Sequence, residues 1–118
     1  MSILHEPEIK SFWEACGPLD CCETLDDLTK DIMKNKNMIE PCRKWLSTCN
    51  RLKNINKNRD TLRLKHDAES DLGQWIPHSI FIFSAFLDGF ELKPAGKRDG
   101  GEEWVFQTNV GKHIKPTI

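Results

Sequence analysis

The chain has 118 residues, of which 38% are hydrophobic and 30% are charged, and its formal net charge at pH 7 is −1. This length and composition are typical of one globular domain and exclude wholesale disorder. The N-terminus has neither a basic start nor an apolar stretch, and no later apolar run reaches the ~20 residues of a membrane span. We therefore expect an intracellular protein, cytoplasmic or nuclear, that has no membrane partner.

The first half of the chain predicts about three helices. One apolar face at helical spacing is formed by Ile9, Phe12, Trp13 and Cys16. A second helix is predicted over about 25–35, because Thr24 is a good N-cap and Asp27 follows three residues later. A third helix is predicted to begin near Asn37 and to carry apolar residues at helical spacing as far as Leu52, before an Asn-rich stretch ends it.

The second half changes to an alternating pattern that predicts strands. Three segments alternate apolar with polar residues: TLRLKH (61–66), FELK (90–93) and EWVFQT (103–108). The Gly- and Pro-rich PAGKRDGGE between the last two predicts a long hairpin connection. The apolar run SIFIFSAFLDGF fits either a buried strand or a short buried helix capped by glycine, and the strand is favoured.

These elements predict an α+β fold. About three N-terminal helices would pack on a small antiparallel sheet of three to four strands. We expect a single domain over 1–118, with a helical part at about 6–55 and a strand part at about 60–110. Either part alone would be too small to fold comfortably.

Charge is segregated along the chain although the total is near zero. Residues 1–31 have 2 basic and 8 acidic residues, 32–66 have 10 and 2, and 67–118 have 5 and 8. The middle third therefore has a net charge of +8. One interpretation is that these cations lie on solvated faces and pair with the acidic N-terminal helices.

The alternative interpretation is an anion-binding surface in the middle third. It would gather the side chains of Arg43, Lys44, Arg51, Lys53, Lys57, Arg59, Arg63 and Lys65. If these cations converge, they could follow a phosphate backbone, with neighbouring asparagines as polar supplements. The partner would be nucleic acid, with RNA favoured, and without sharp sequence preference because RNA-recognition motifs are absent from the sequence.

The five cysteines are expected to be free thiols in a reducing compartment. Cys16, Cys42 and Cys49 fit small apolar core positions. The spacing of Cys21, Cys22, Cys42, Cys49 and His66 is wrong for a structural zinc site, so zinc is disfavoured and we expect no cofactor. Because no histidine is tied to a cysteine and no other constellation specifies a reaction, we expect a protein that is not an enzyme.

Residues 17–23 contain a short pattern of a different kind. Leu19, Cys21 and Glu23 match L-x-C-x-E, which is similar to the motif with which several viral transforming proteins bind the pocket of the retinoblastoma protein. The resemblance implies a protein-interaction adaptor, for example a viral or pathogen factor that acts on a host protein. The leading hypothesis remains a non-enzymatic regulatory protein that binds RNA through its basic segment.

Overall fold

The computed structural model describes residues 6–16, 24–97 and 104–113; within them, the side chains of residues 6, 57–59, 96, 97, 104, 112 and 113 lie outside the description. This part of the chain forms five α-helices and a three-stranded antiparallel sheet. The elements are α1 (Glu6–Cys16), α2 (Leu25–Lys34), a 3₁₀ turn (Lys36–Met38), α3 (Ile39–Ser47), β1 (Cys49–Asp60), α4 (Thr61–Leu72), α5 (His78–Leu87), β2 (Leu92–Lys97) and β3 (Trp104–His113). The predicted α+β class is confirmed.

The first two helices form where local signals predicted them. In α1 the predicted face is turned inward, with Ile9 and Phe12 completely buried. The N-cap of α2 is Thr24, whose hydroxyl accepts a hydrogen bond of 3.1 Å from the Asp27 N–H. Leu28 and Ile32, one turn apart, are buried by α2.

The third helix is shorter than predicted. The hydroxyls of Ser47 and Thr48 donate to the carbonyl oxygens of Lys44 and Trp45, each at 2.6 Å. Such side-chain bonds to the backbone compete with helix continuation and favour an end. The chain then enters β1 at Cys49, so the prediction of a helix as far as Leu52 followed by an irregular Asn-rich segment was wrong.

The predicted strand at 61–66 is the first half of α4. Asp60 is the N-cap, and its carboxylate accepts a 2.9 Å hydrogen bond from the Arg63 N–H. The buried positions are Thr61, Leu64, Lys65 and Ala68. The last three follow Thr61 by three, four and seven residues, which is a helical spacing. This spacing becomes visible only when the pattern is followed beyond residue 66. Gly73, with φ +68°, ends the helix in the left-handed conformation.

The apolar run at 79–88 belongs to α5, the helix at the centre of the core, and not to the favoured strand. Every residue from Ser79 to Ala85 is buried. Aromatic rings of two other helices pack on α5. The ring centres of Phe12 in α1 and Phe83 are 5.3 Å apart, and those of Trp45 in α3 and Phe81 are 6.1 Å apart. A helix buried all round has no polar face, so its sequence shows no period. In the described part of the chain, no helix has the length and apolarity to span a bilayer.

The sheet has the order β1-β3-β2. The predicted antiparallel neighbours β2 and β3 are confirmed, with Leu92 opposite Thr108, although β2 begins two residues later than predicted and runs into the predicted hairpin connection. The pairing of β1 with β3 is irregular: Arg51 lies opposite Val110, but Asn56 lies opposite Thr108. Extra residues in β1 bulge the strand at this edge of the sheet.

Candidate anion-binding cleft

The turn after α5, at Asp88 and Gly89, presents several hydrogen-bond acceptors. The N–H groups of Asp88 and Phe90 donate to the carbonyl oxygens of Ser84 and Ala85, each at 3.1 Å. Between them Gly89 has φ +80°, a left-handed conformation that favours glycine. This geometry leaves the carbonyl oxygens of Asp88 and Gly89, and the Asp88 carboxylate, available to side chains from other elements.

Arg51 of β1 is fixed on this turn by three interactions. Its two terminal nitrogens donate to the carbonyl oxygens of Gly89 and Asp88, each at 2.8 Å. The guanidinium carbon also lies 4.0 Å above the centre of the Phe90 ring. A planar cation on an aromatic face is an attractive contact, so the side chain is both oriented and exposed.

Arg43 of α3 contacts the same turn. Its Nε donates to Oδ1 of Asp88 at 2.8 Å, and a terminal nitrogen lies 3.9 Å from the carboxylate of Glu40. The Arg43 side chain is 37% exposed and that of Asp88 is 19% exposed, so the ion pair is partly shielded from water. This contact connects α3 to the C-terminal end of α5.

An open cleft of about 580 Å³ lies between these groups, and we call it the α3–β1 cleft. It is lined by Glu40, Arg43, Lys44, Leu46, Ser47, Cys49, Arg51, Asp88 and Phe90. The lining carries three cationic and two anionic side chains, a net charge of +1. Lys44 is exposed, whereas both arginines are held in place by the turn. The cleft therefore offers an anion the ammonium group of Lys44 and the arginine N–H donors that the turn does not use.

The structure brings together three of the eight predicted nucleic-acid-binding residues: Arg43, Lys44 and Arg51 line the cleft. Lys53 is exposed further along β1, and Arg63 is exposed in the first turn of α4. Neither is part of the cleft lining. Lys57 and Arg59 lie on β1, but their side chains are outside the described residues.

Lys65 is buried, whereas the sequence predicted it as an exposed cation of the nucleic-acid-binding surface. It is 6% exposed and its Nζ lies 3.1 Å from Oε2 of Glu69. The same oxygen accepts the N–H of Ile76 at 2.8 Å, while the other carboxylate oxygen lies 3.1 Å from Nδ1 of His66. Burial alone would raise the pKa of Glu69, but the hydrogen bonds from Ile76, Lys65 and His66 outweigh it and lower that pKa.

His78 forms a second buried junction away from the cleft. Its Nε2 lies 2.9 Å from Oγ1 of Thr61, which also accepts the N–H of Phe106 at 3.1 Å. Burial, with Lys65 nearby, lowers the pKa of His78 to about 4. The contact joins the start of α4, the start of α5 and β3, so it is a structural feature of the fold.

Of the cysteines among the described residues, Cys42 is buried, and Cys16 and Cys49 are partly buried against the core. Burial raises the pKa of Cys42 and of Cys16 to about 11 each, which makes these thiols poor nucleophiles and poor metal ligands. Among the described residues, no group of three or more histidine, cysteine, aspartate or glutamate side chains could hold a metal ion. The predicted partner-binding residues Leu19, Cys21 and Glu23 lie outside the described residues.

Sequence reasoning missed the turn that orients the arginines. Asp88 and Gly89 were considered only as the end of an apolar run, although an Asp-Gly pair after such a run is itself a turn signal. Trp75 was also missed, although 65% of this large hydrophobic residue is exposed in the described part of the chain.

Comparisons with protein-family models, with curated proteins and with solved structures gave no significant match.

Proposed function

We propose that this protein is a non-enzymatic, regulatory nucleic-acid-binding protein that engages RNA through the α3–β1 cleft. The observation that carries the proposal is the convergence of Arg43, Lys44 and Arg51 on one open cleft. Cations that neutralise phosphates release condensed counterions, and this release drives binding that does not depend on base sequence.

The size of the cluster limits the strength of binding. If two or three cations each contact one phosphate of a single strand, the logarithm of the affinity should fall with the logarithm of salt concentration with a slope of about −1.4 to about −2.1. At 0.1 M salt, each lost contact then lowers the affinity roughly fivefold. Because Glu40 and Asp88 lie in the same lining, we expect weak binding with fast exchange.

The experiment is fluorescence anisotropy with labelled RNA in a salt series. A double substitution Arg43→Gln, Lys44→Gln should lower the affinity about 25-fold at 0.1 M salt and reduce the slope by about 1.4. The double substitution Lys30→Gln, Lys34→Gln is a matched control, because both are exposed lysines of α2 and neither lines the cleft. Unchanged binding by the double variant, or an equal loss in the control, would reject the cleft as the site.

One observation favours a second candidate function, the protein-interaction adaptor. Trp75 lies in the connection between α4 and α5, which the Glu69–Ile76 hydrogen bond holds, and Lys65 Nζ lies 5.9 Å from its ring centre. An exposed, positioned tryptophan is the kind of residue that dominates protein interfaces. A partner that survives nuclease treatment in a crosslinking pull-down, and is lost with Trp75→Ala but not with Lys30→Gln, would support the adaptor.

A further inference from the structure

The guanidinium group of Arg51 has two faces in different environments. The inner face stacks on Phe90, with 4.0 Å between the guanidinium carbon and the ring centre. The terminal nitrogens point at the turn, because each donates to a carbonyl oxygen at 2.8 Å. Because Arg51 is exposed and lines the cleft, the outer face, opposite Phe90, is the one that a ligand in the cleft can approach.

This geometry makes Arg51 better suited to stacking than to clamping a phosphate. Two of its five N–H donors already bind the turn carbonyls, so a phosphate would have to use the remaining three donors or displace a carbonyl. The flat outer face is fixed in orientation at no further cost. Phe90 is only 7% exposed, so the ring itself cannot receive a ligand and instead supports the arginine from below.

Arg43 and Lys44 lie around the same cleft and provide charge beside this flat surface. The cleft volume of about 580 Å³ is within the usual range for small-molecule sites. A nucleotide combines a flat base with a charged phosphate, and guanidinium planes are a known stacking surface for splayed-out bases. In a duplex the bases are paired and stacked, so their faces cannot reach such a surface.

We infer that the α3–β1 cleft selects single-stranded over double-stranded nucleic acid by stacking one unpaired base on the outer face of Arg51, with Lys44 and Arg43 contacting the flanking phosphates. This inference rests on the proposed function and specifies its ligand. Stacking does not depend on hydrogen-bond readout, so the preference is for strand state and not for sequence.

The test uses three labelled probes of the same length, about 12 nucleotides, which is within the range of single-strand site sizes. They are a single-stranded RNA, the same RNA annealed to its complement, and an abasic single strand that keeps the phosphates but lacks the bases. The native protein should bind the single strand about tenfold more tightly than either of the other probes.

Two variants separate stacking from charge. Arg51→Lys keeps the charge but removes the plane, so it should lose about tenfold on single-stranded RNA, with an unchanged salt slope, and should no longer discriminate against the abasic probe. Lys44→Gln should weaken binding to all probes about fivefold and reduce the slope by about 0.7. The abasic comparison needs no variant, so it remains decisive if Arg51→Lys fails to fold.

The outcomes also distinguish the inference from the proposed function. Equal affinity of the native protein for single-stranded, duplex and abasic probes would overturn the stacking inference and leave phosphate binding intact. Absence of binding to every probe at low salt would overturn both. Discrimination that persists in folded Arg51→Lys would place the stacking surface elsewhere and reject the role of Arg51.

Discussion

Arg43 Nε donates to Asp88 Oδ1 at 2.8 Å across a sequence separation of 45 residues. The contact joins α3, in the helical first half, to the turn after α5, on which Arg51 of β1 also rests. One carboxylate and two carbonyl groups of a single turn thus orient two arginines from different elements. The cleft depends on this turn as much as on its cations.

Asp88→Asn should separate two effects of the Asp88 carboxylate, which are its ion pair with Arg43 and its negative charge in the cleft lining. The amide keeps an acceptor for Arg43 but removes a negative charge, so the free energy of unfolding should fall by about 1 kcal/mol or less. Affinity for single-stranded RNA should rise about threefold, because the net charge of the lining becomes +2. Urea unfolding and anisotropy measure the two quantities. Asp26→Asn on α2 is the matched control, and a loss of affinity in Asp88→Asn would contradict the electrostatic account.

The buried Lys65–Glu69 pair should be important for stability. Glu69→Ala leaves a buried ammonium group and the Ile76 N–H without this acceptor, and should lower the free energy of unfolding by about 3 kcal/mol. The double variant Lys65→Met, Glu69→Gln removes both charges and should be less destabilised than Glu69→Ala alone. A urea double-mutant cycle of Lys65→Met, Glu69→Gln and their combination tests the coupling, and additive losses would show that the pair is not coupled.

Stability should fall as the solution becomes acidic, because of His78. Its pKa is lowered from 6.5 to about 4 in the folded protein, so between these values the unfolded chain binds more protons than the folded one. The contribution of neutral His78 to the free energy of unfolding is complete above pH 6.5 and is lost as the pH falls towards 4. The loss amounts to about 3 kcal/mol at most. Urea unfolding from pH 7 to 4 measures it. His78→Asn should flatten the curve in this window, and an unchanged slope would contradict the assignment.

Gly111 marks a close approach of β3 to β1. A Cβ atom there would lie 2.8 Å from the carbonyl oxygen of Asn50 and 2.9 Å from the Leu52 side chain. Because one of these atoms belongs to the backbone, Gly111→Ala should displace β1, lower the free energy of unfolding by about 1–3 kcal/mol, and weaken RNA binding through Arg51. Gly73→Ala is the control: its backbone has φ +68° with open space around the new Cβ, so stability should fall and affinity should not.

Local patterns predicted some elements correctly and could not predict others. The helices α1 and α2 have an apolar face, and α2 has a side-chain cap, features that act over a few residues. The α4 segment was mistaken for a strand because six residues of alternation also fit the start of a helix whose later core position is Ala68. The α5 segment has no period at all, since neighbours cover it on every side.

The burial of Lys65 was missed because α4 was mistaken for a strand. In a strand, Lys65 would share a polar face with Arg63 and point to solvent. In a helix, positions 61, 65 and 68 lie on one side, and that side faces the core. A change of period therefore moves one predicted phosphate ligand from the surface into a buried ion pair.

The sequence by itself determined the charge segregation, the positions of the first helices and the β3 strand, because these depend on residue type and on interactions between near neighbours in the chain. Only the tertiary structure decided which cations meet. Arg43, Lys44 and Arg51 converge because α3 and β1 both pack near a turn that lies 37 to 45 residues away from the two arginines, and no local pattern encodes a distance between such remote segments.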